Sequence, residues 1–268
     1  MATRIQILVE DKNFKPELEG EHGLSMLVEG EGIRFIFDCG QTGMAWRNAE
    51  KLGVDLTKIK TAVISHAHYD HGGGFTELLK YARIKTLYTG EKFFDKKFSW
   101  DGTKYVFKGV RLTTQDLERL HITNKICGEM VQLDEKIFLV GKFNRTYEFE
   151  TVPDKFFIGR AKKKLPDDFG DEICMAIRGD DGLSVVAACS HVGILNMVST
   201  VAERFNEPVT RLVGGVHLRN ADDELIDKTI AELKNLGVRD FKLCHCSGEN
   251  VCAKVNSETL STGSVIEL

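Results

Sequence analysis

The sequence predicts one domain of 268 residues with a four-layer αββα architecture. Three observations predict it: strand-like segments occupy the first and last thirds of the chain, helical segments alternate with them, and the candidate ligand residues follow strands in both halves. Two sheets packed face to face and covered by helices would bury these segments. We therefore expect a single site at one edge of the two sheets, on the loops that follow the strands.

The alternation of apolar residues places the individual elements. In the first third, strands are predicted at 4–9, 24–29, 33–37, 61–65 and 84–88, with helices at 44–52 and 75–81. In the last third, strands are predicted at 173–178, 183–188, 209–213 and 241–243, with helices at 194–205 and 222–236 and a short helix after Gly248. Residues 91–170 are less regular and rich in aromatic side chains, which indicates a functional insertion or lid.

Composition excludes several classes of protein. The formal net charge is −4 and 28% of the residues are charged, so no basic surface for nucleic acid or an anionic membrane is expected. The first residues lack the features of a signal peptide, and no apolar run approaches the roughly 20 residues that span a bilayer. The seven cysteines include four that sit singly in apolar stretches, which is typical of reduced thiols. We expect a soluble cytoplasmic protein.

A cluster of histidines marks the candidate site. The chain has eight histidines, and three of them fall with an aspartate in the six positions from His66 to His71. His66 and His68 are two residues apart in extended chain, so both point to one side and can hold one metal ion. Asp70 and His71 come next, before three glycines that allow the backbone to pass close to the site, and can hold a second ion. Ordinary loop histidines are the alternative.

The segment His66-Ala67-His68-Tyr69-Asp70-His71 resembles the His-x-His-x-Asp-His signature of the metallo-β-lactamase superfamily, and the resemblance extends over nearly the whole chain. It implies an αββα sandwich, a dinuclear metal site and a metal-dependent hydrolase. Phe37-Asp38-Cys39-Gly40 is similar to the family's Asp-Thr-Gly turn, which implies that Asp38 supports the metal-binding loop.

The same resemblance implies the remaining ligands. Ser190-His191 and Cys244-His245-Cys246 fit the third and last histidines of the family, so one ion would be held by His66, His68 and His191, and the other by Asp70, His71 and His245. The family's usual acidic bridge between the metals is missing. His217 stands in that region, either as a ligand, as a residue that supports a ligand, or as a group that faces the substrate. Zinc is the expected metal, although manganese and iron suit the same ligands.

A narrower resemblance concerns the substrate. Glu21-His22-Gly23-Leu24-Ser25, Gly214-Gly215-Val216-His217-Leu218 and Cys244-His245-Cys246-Ser247-Gly248 are similar to dihydropterin ribofuranosylaminobenzene-phosphate synthase-like proteins. That branch is named for an enzyme that joins a dihydropterin methyl carbon to a ribofuranosylaminobenzene phosphate and releases diphosphate. The resemblance implies a small-molecule substrate that is phosphorylated or pterin-like.

Other residues have two interpretations each. His22 is either a proton donor at the site, acting with the catalytic Asp70, or a surface histidine. Arg160, Lys162 and Lys163 either bind a substrate phosphate or belong to a solvated loop.

The cysteines beside the last histidine also have two interpretations. Cys244, Cys246 and Cys252 are close enough in sequence for a thiolate metal site. However, if His245 points into the site, its two neighbours point away along extended chain, which favours buried free thiols.

Three functions follow. The first is a hydrolase in which two metal ions lower the pKa of a shared water for attack on an ester or phosphoester. The second is the pterin transferase named above, which would release diphosphate. The third is a non-catalytic, metal-stabilised ligand-binding domain.

Overall fold

The computed structural model describes residues 2–160 and 163–268, without the side chain of Arg160. In that part of the chain the strands are β1 (Arg4–Val9), β2 (Ser25–Glu29), β3 (Arg34–Phe37), β4 (Thr61–Val63), β5 (Thr86–Gly90), β6 (Lys96–Trp100), β7 (Tyr105–Phe107), β8 (Thr123–Cys127), β9 (Met130–Gln132), β10 (Ile137–Gly141), β11 (Phe156–Arg160), β12 (Lys163–Pro166), β13 (Ile173–Gly179), β14 (Gly182–Ala187), β15 (Val209–Gly214), β16 (Asp240–Leu243) and β17 (Val265–Glu267). The α-helices are α1 (Met44–Lys51), α2 (Tyr69–Gly72), α3 (Phe75–Leu78), α4 (Thr114–Arg119), α5 (Ile194–Phe205), α6 (Asp223–Asn235) and α7 (Glu249–Lys254).

The strands form two large sheets and one small one. The first large sheet has the order β17-β1-β2-β3-β4-β5-β8, and the second has the order β16-β15-β14-β13-β10-β9. Both are mixed, because β3, β4, β5 and β8 run parallel, as do β14, β15 and β16, while the other pairs are antiparallel. The small sheet, β12-β11-β6-β7, is antiparallel.

The core has three apolar layers, which correspond to the interfaces of an αββα sandwich. The central layer joins the two large sheets and includes Phe35 of the first and Met175 of the second. The outer face of the first sheet packs on Trp46 of α1, and the outer face of the second packs on Met197 of α5. The predicted αββα architecture is therefore confirmed.

The segment 91–170 is more regular than its sequence indicates. It supplies β8, β9 and β10 to the large sheets, and β6, β7, β11 and β12 to the small one. Its pattern is obscured because β6 turns a lysine inward: Lys97 is 2% exposed and contacts Asp167 and Asp171 at 2.8 and 2.6 Å. A buried charge satisfied by two carboxylates breaks the apolar alternation by which a strand is recognised. The role of this segment as a lid stays a prediction.

The topology gathers several strand ends at one edge. β3 and β4 are parallel neighbours in the first sheet, and β14, β15 and β16 are parallel neighbours in the second. The carboxyl ends of parallel neighbours meet at the same edge, so the loops that follow them converge. Those loops carry the candidate site residues: Asp38, His66, His68, Cys189, His191, His217 and His245.

Among the described residues, no helix has both the length and the apolar character that a membrane crossing requires.

Candidate metal centre

A buried carboxylate fixes the start of the histidine cluster. Asp38 is fully buried after β3 and accepts hydrogen bonds from the Ser65 backbone N–H at 2.7 Å and from the Ser65 hydroxyl at 2.8 Å. Its Oδ2 also lies 2.7 Å from Nδ1 of His71. A carboxylate on Nδ1 orients the ring and turns Nε2 toward the site, where a metal ion would take the place of its proton. The supporting role that the Asp-x-Gly turn implies for Asp38 agrees with these contacts.

His66 and His68 leave β4 side by side, as their spacing predicts. Nε2 of His66 lies 3.2 Å from Nδ1 of His68, and the ring centroid of His191 is 4.9 Å from that of His66 and 4.8 Å from that of His68. The backbone between the first two histidines is held by Asp171, whose Oδ2 accepts a hydrogen bond from Ala67 N at 2.8 Å. Three imidazoles from two sheets therefore converge on one point.

The loop after β14 is fixed in the same way. The buried Glu172 carboxylate accepts the backbone N–H groups of His191 and Val192 at 2.9 and 2.8 Å. The Phe169 ring stacks on the His191 ring with a centroid distance of 4.1 Å and an interplanar angle of 14°. These contacts hold the His191 ring against the His66–His68 pair.

A second group of ligand atoms lies beside the first. Oδ2 of Asp70 is 3.7 Å from Nε2 of His71, 3.6 Å from Nε2 of His245 and 3.3 Å from Nε2 of His22. Asp11, which follows β1, lies 2.7 Å from Nδ1 of His245 and 3.1 Å from Nδ1 of His22. His22 is 46% exposed, so it joins the site from the solvent side.

Backbone strain concentrates at the centre. Asp38, Ser190, His217 and His245 have positive φ values of 60°, 66°, 54° and 52°. Residues other than glycine rarely adopt this conformation, and they keep it where the surrounding contacts over-determine the backbone. One such contact is the Ser190 hydroxyl, which donates to Gly215 O at 2.8 Å.

Burial and neighbouring charges set the protonation of the rings. Burial lowers the pKa of His68 to about 3 and the pKa of His191 well below its ordinary value. Burial also lowers the pKa of His71, but the nearby carboxylates of Asp70 and Asp38 outweigh it and raise this pKa to about 9. His68 and His191 are therefore neutral at pH 7, which is the form that binds metal.

Several buried ring nitrogens lack a hydrogen-bond partner. They are Nε2 of His68, both nitrogens of His191 and Nε2 of His245. A buried polar atom without a partner costs about 1–3 kcal/mol, so such atoms are rare and need an explanation. Divalent cations would give each of the three rings a partner for one nitrogen, and the Asp70 carboxylate would offset part of their charge. The donor set therefore fits the metal ions that the sequence implies.

The centre opens into two connected cavities. The metal cavity, of about 350 Å³, is lined by His68, Asp70, Cys189, His191 and His245, among others. The side cavity, of about 770 Å³, extends between the loop before β11 and helix α6. His22, His191 and His217 line both, and the ring of His217 lies 4.2 Å from that of His191 between centroids.

The cations at the cavities differ from those predicted. Lys155 lines both cavities and Arg219 lines the side cavity, where Arg219 also contacts Asp11 at 2.8 Å. Lys163 is exposed on β12 and does not line either cavity. Lys162 and the side chain of Arg160 lie outside the described residues.

Three supporting residues carry no recognisable motif and were not predicted. Asp11 and Cys189 come two residues after the ends of β1 and β14, and a position just after a strand is the same signal that identified the candidate ligands. Glu172 is the second residue of an acidic pair directly before the apolar strand β13. In each case the local signal was present, but the partner lay far along the chain: Cys189 Sγ lies 3.2 Å from His71 Nε2 across 118 positions.

Comparison with known proteins agrees with this geometry. The family model of the metallo-beta-lactamase superfamily matches residues 18–173. A 7,8-dihydropterin-6-methyl-4-(beta-D-ribofuranosyl)-aminobenzene-5'-phosphate synthase from Methanocaldococcus jannaschii is 31% identical over 287 residues, which cover 98% of this chain and 96% of that protein. An uncharacterized protein from the same organism is 27% identical, over 94% of this chain and 93% of its own length.

A solved structure extends the similarity to the whole fold. Tm1679, described as a metal-dependent hydrolase of the beta-lactamase superfamily, superposes with a TM-score of 0.85 at 29% identity and covers 99% of both chains. The matched family model includes the His66–His71 segment, and the relatives match this chain along almost its entire length. The chain therefore belongs to the metallo-beta-lactamase superfamily and resembles, within it, the dihydropterin ribofuranosylaminobenzene-phosphate synthase branch.

Proposed function

We propose that this protein is a metal-dependent hydrolase that cleaves an ester or phosphoester bond of a small molecule. The observation that carries the proposal is the cluster of unpartnered ring nitrogens of His68, His191 and His245 at the metal cavity. Lys155 lines this cavity as well as the side cavity, and Arg219 lines the side cavity. Superfamily membership supports it, as does the overall similarity to a protein described as a metal-dependent hydrolase. The two cations favour a phosphorylated substrate.

In this proposal the chain holds two divalent ions, for which zinc is the expected metal. His66, His68 and His191 hold one, and Asp70, His71 and His245 hold the other. When bound, the ions supply Lewis acidity and make a water molecule nucleophilic near neutral pH. Asp38 and Asp11 keep the rings of His71 and His245 oriented through their Nδ1 atoms at 2.7 Å in both cases.

His22 is the proposed proton donor. Its hydrogen bond to Asp11 raises the pKa of the imidazole, despite the opposing effect of burial, and this favours the protonated form that can donate. In hydrolysis the water oxygen bonds to the phosphorus, the ester P–O bond breaks, and the leaving oxygen takes the proton from Nε2. The proton lost by the water passes to solvent, from which His22 is protonated again.

Lys155 is the proposed contact for the substrate phosphate. It lines both cavities, whereas Lys163 is an exposed lysine outside them and provides a matched control. We expect Lys155→Ala to raise KM for a phosphorylated substrate with a smaller effect on kcat, and Lys163→Ala to change neither. A raised KM in Lys163→Ala with no change in Lys155→Ala would instead assign the phosphate contact to the basic segment of β12.

A second candidate is the transferase reaction. One observation favours it: the 31% identity to the synthase extends over 98% of this chain. The side cavity, at about 770 Å³, also lies within the roughly 300–1,000 Å³ of sites that bury a small-molecule ligand. In this reaction the bond to diphosphate breaks, the pterin methyl carbon bonds to the ribofuranosylaminobenzene phosphate, and the acceptor loses a proton to solvent.

One set of assays separates the candidates. Zinc-loaded protein and its Asp70→Asn variant are given bis(p-nitrophenyl) phosphate and p-nitrophenyl esters, and separately the dihydropterin diphosphate with and without the ribofuranosylaminobenzene phosphate. Hydrolysis predicts nitrophenol release that Asp70→Asn abolishes. Diphosphate release only in the presence of the acceptor would support the transferase and refute the hydrolase. Tight metal binding with no turnover of any substrate would indicate that the protein is a non-catalytic binding domain.

A further inference from the structure

Cys189 lies between the two groups of ligand atoms. It follows β14, is 3% exposed, and places Sγ 3.2 Å from Nε2 of His71. Sγ forms one group with ring nitrogens of His66 and His191, in which all atoms lie within 4.8 Å of one another. It forms a second such group with ring nitrogens of His71 and His245. The same sulfur atom therefore belongs to both candidate metal positions.

These distances suit a shared ligand. With metal–nitrogen bonds of about 2.0–2.1 Å and metal–sulfur bonds of about 2.3 Å, sulfur and nitrogen on one tetrahedral ion lie roughly 3.5 Å apart. The distance from Sγ to His71 Nε2, 3.2 Å, is close to that value, and the other ring nitrogens of the two groups lie within 4.8 Å of Sγ, so adjustments of the side chains would place one ion in each group. The neighbouring rings also need partners, since His191 has two unpartnered buried nitrogens and His245 has one.

The carboxylates of Asp70, Asp11 and Asp38 do not lie between the two groups of ligand atoms. Asp70 reaches the side of His71 and His245, and Asp11 lies behind His245 on its Nδ1 atom. Asp38 lies behind His71 in the same way. An anionic ligand between two divalent ions reduces their repulsion, and among these residues Cys189 is the side chain placed to provide one.

We propose that Cys189 is the bridging ligand of the dinuclear centre, a thiolate that takes the role an acidic side chain from another part of the chain usually has in the superfamily. The inference rests on the proposed metal-dependent function. On metal binding the Cys189 S–H bond breaks, the proton passes to solvent, and the sulfur donates to both ions. A thiolate bridge favours zinc over manganese, because sulfur is a soft ligand and manganese prefers oxygen.

Cys246 supplies the matched control. It is a second buried thiol at the same cavity, but its Sγ lies 3.5 Å from Cys189 O and 3.9 Å from Ala188 O. Cys246 therefore contacts backbone carbonyls and the Cys189 thiol, whereas Cys189 Sγ lies against the ring of His71. Substituting each cysteine by serine removes one thiol from the same environment and leaves the other in place.

The experiment uses cobalt in place of zinc, because cobalt bound to a thiolate gives a sulfur-to-cobalt charge-transfer absorption in the near ultraviolet. The full-length protein is stripped of metal and titrated with cobalt alone. We expect the band to grow with both cobalt equivalents, to persist in Cys246→Ser and to be lost in Cys189→Ser. Cys189→Ser should also bind the second ion more than about 100-fold more weakly, beyond the loss expected for a supporting residue.

A further variant distinguishes loss of the thiolate from misfolding of Cys189→Ser. Cys189→Asp restores an anionic bridge, so it should bind two cobalt ions without the charge-transfer band. A wild-type protein that binds two cobalt ions without the band would overturn the proposal, as would loss of the band in Cys246→Ser alone. Because the readout is spectroscopic, a thiolate band in a protein that hydrolyses nothing would reject the proposed function and retain the bridge.

Discussion

Replacing Asp38 with asparagine tests how the centre is held. The Asp38 carboxylate accepts from the Ser65 N–H, the Ser65 hydroxyl and His71 Nδ1 at 2.7, 2.8 and 2.7 Å. An amide has only one accepting atom. If its oxygen stays on the Ser65 N–H, its NH₂ group faces His71 Nδ1, which must then accept, and the ring proton moves to Nε2. If the amide is reversed, the buried Ser65 N–H loses its acceptor.

Either arrangement has a calculable cost. A proton on Nε2 of His71 competes with the metal ion, so we expect affinity for one of the two ions to fall by about 10–100-fold. That loss corresponds to about 1.4–2.7 kcal/mol of binding free energy. In the metal-free protein, a buried donor without an acceptor lowers the free energy of unfolding by about 1–3 kcal/mol.

Zinc titration against a competing chelator measures the first quantity, and urea unfolding of the metal-free protein measures the second. The control is Ser25→Ala, since the buried Ser25 hydroxyl donates to the Asp38 backbone carbonyl at 2.8 Å and not to its carboxylate. We expect this control to cost about 1 kcal/mol of stability and to leave metal affinity unchanged. Equal zinc affinity in Asp38→Asn and the wild type would refute the reasoning.

Three other predictions follow from the described contacts. Lys97→Met leaves Asp167 and Asp171 as unpaired buried carboxylates, so we expect a loss of about 3–5 kcal/mol in urea unfolding, and an unchanged midpoint would contradict the role of this ion cluster. Burial raises the pKa of Glu150 from 4.5 to about 7, so the folded state holds a proton there that the unfolded chain has lost. The contribution of this group to the free energy of unfolding therefore decreases as the pH rises between those values. A plot of unfolding free energy against pH should be flatter in that range for Glu150→Gln than for the wild type, and parallel plots would refute the raised pKa. The His217 ring lies beside that of His191, with centroids 4.2 Å apart, and also lines the side cavity. We therefore expect His217→Ala to retain two zinc ions by elemental analysis and to have a lower kcat/KM. Loss of one zinc ion in this variant would show that His217 is a ligand.

The small sheet shows where local pattern fails. Its strands are short, and β6 carries an inward lysine whose charge is matched by Asp167 and Asp171 at distant positions. Apolar periodicity reports burial only where the buried residues are apolar. A strand that buries an ion pair is therefore indistinguishable, in sequence, from an irregular segment.

The cations at the cavities show the same limit. The basic run with Arg160, Lys162 and Lys163 had two interpretations, a phosphate contact or a solvated loop, and Lys163 projects from β12 outside both cavities. Lys155 and Arg219 line the side cavity although neither belongs to a basic run. Charge density along the chain does not say which side chains a fold turns toward a site.

From the sequence alone, strand and helix periods permitted the αββα class, the family resemblance of the His66–His71 segment implied it, and the histidine cluster was recognised because it is a short-range signal. Strand and helix periods repeat within a few residues, and His66, His68, Asp70 and His71 share one loop whose spacing fixes their relative directions. Only the tertiary structure decided what lies between the two groups of ligands. In the sequence, Cys189 sits singly in an apolar stretch, as a core thiol does. Its contact with His71 exists because strands from two different sheets end at one edge. That contact depends on how the sheets pack, which no local pattern encodes.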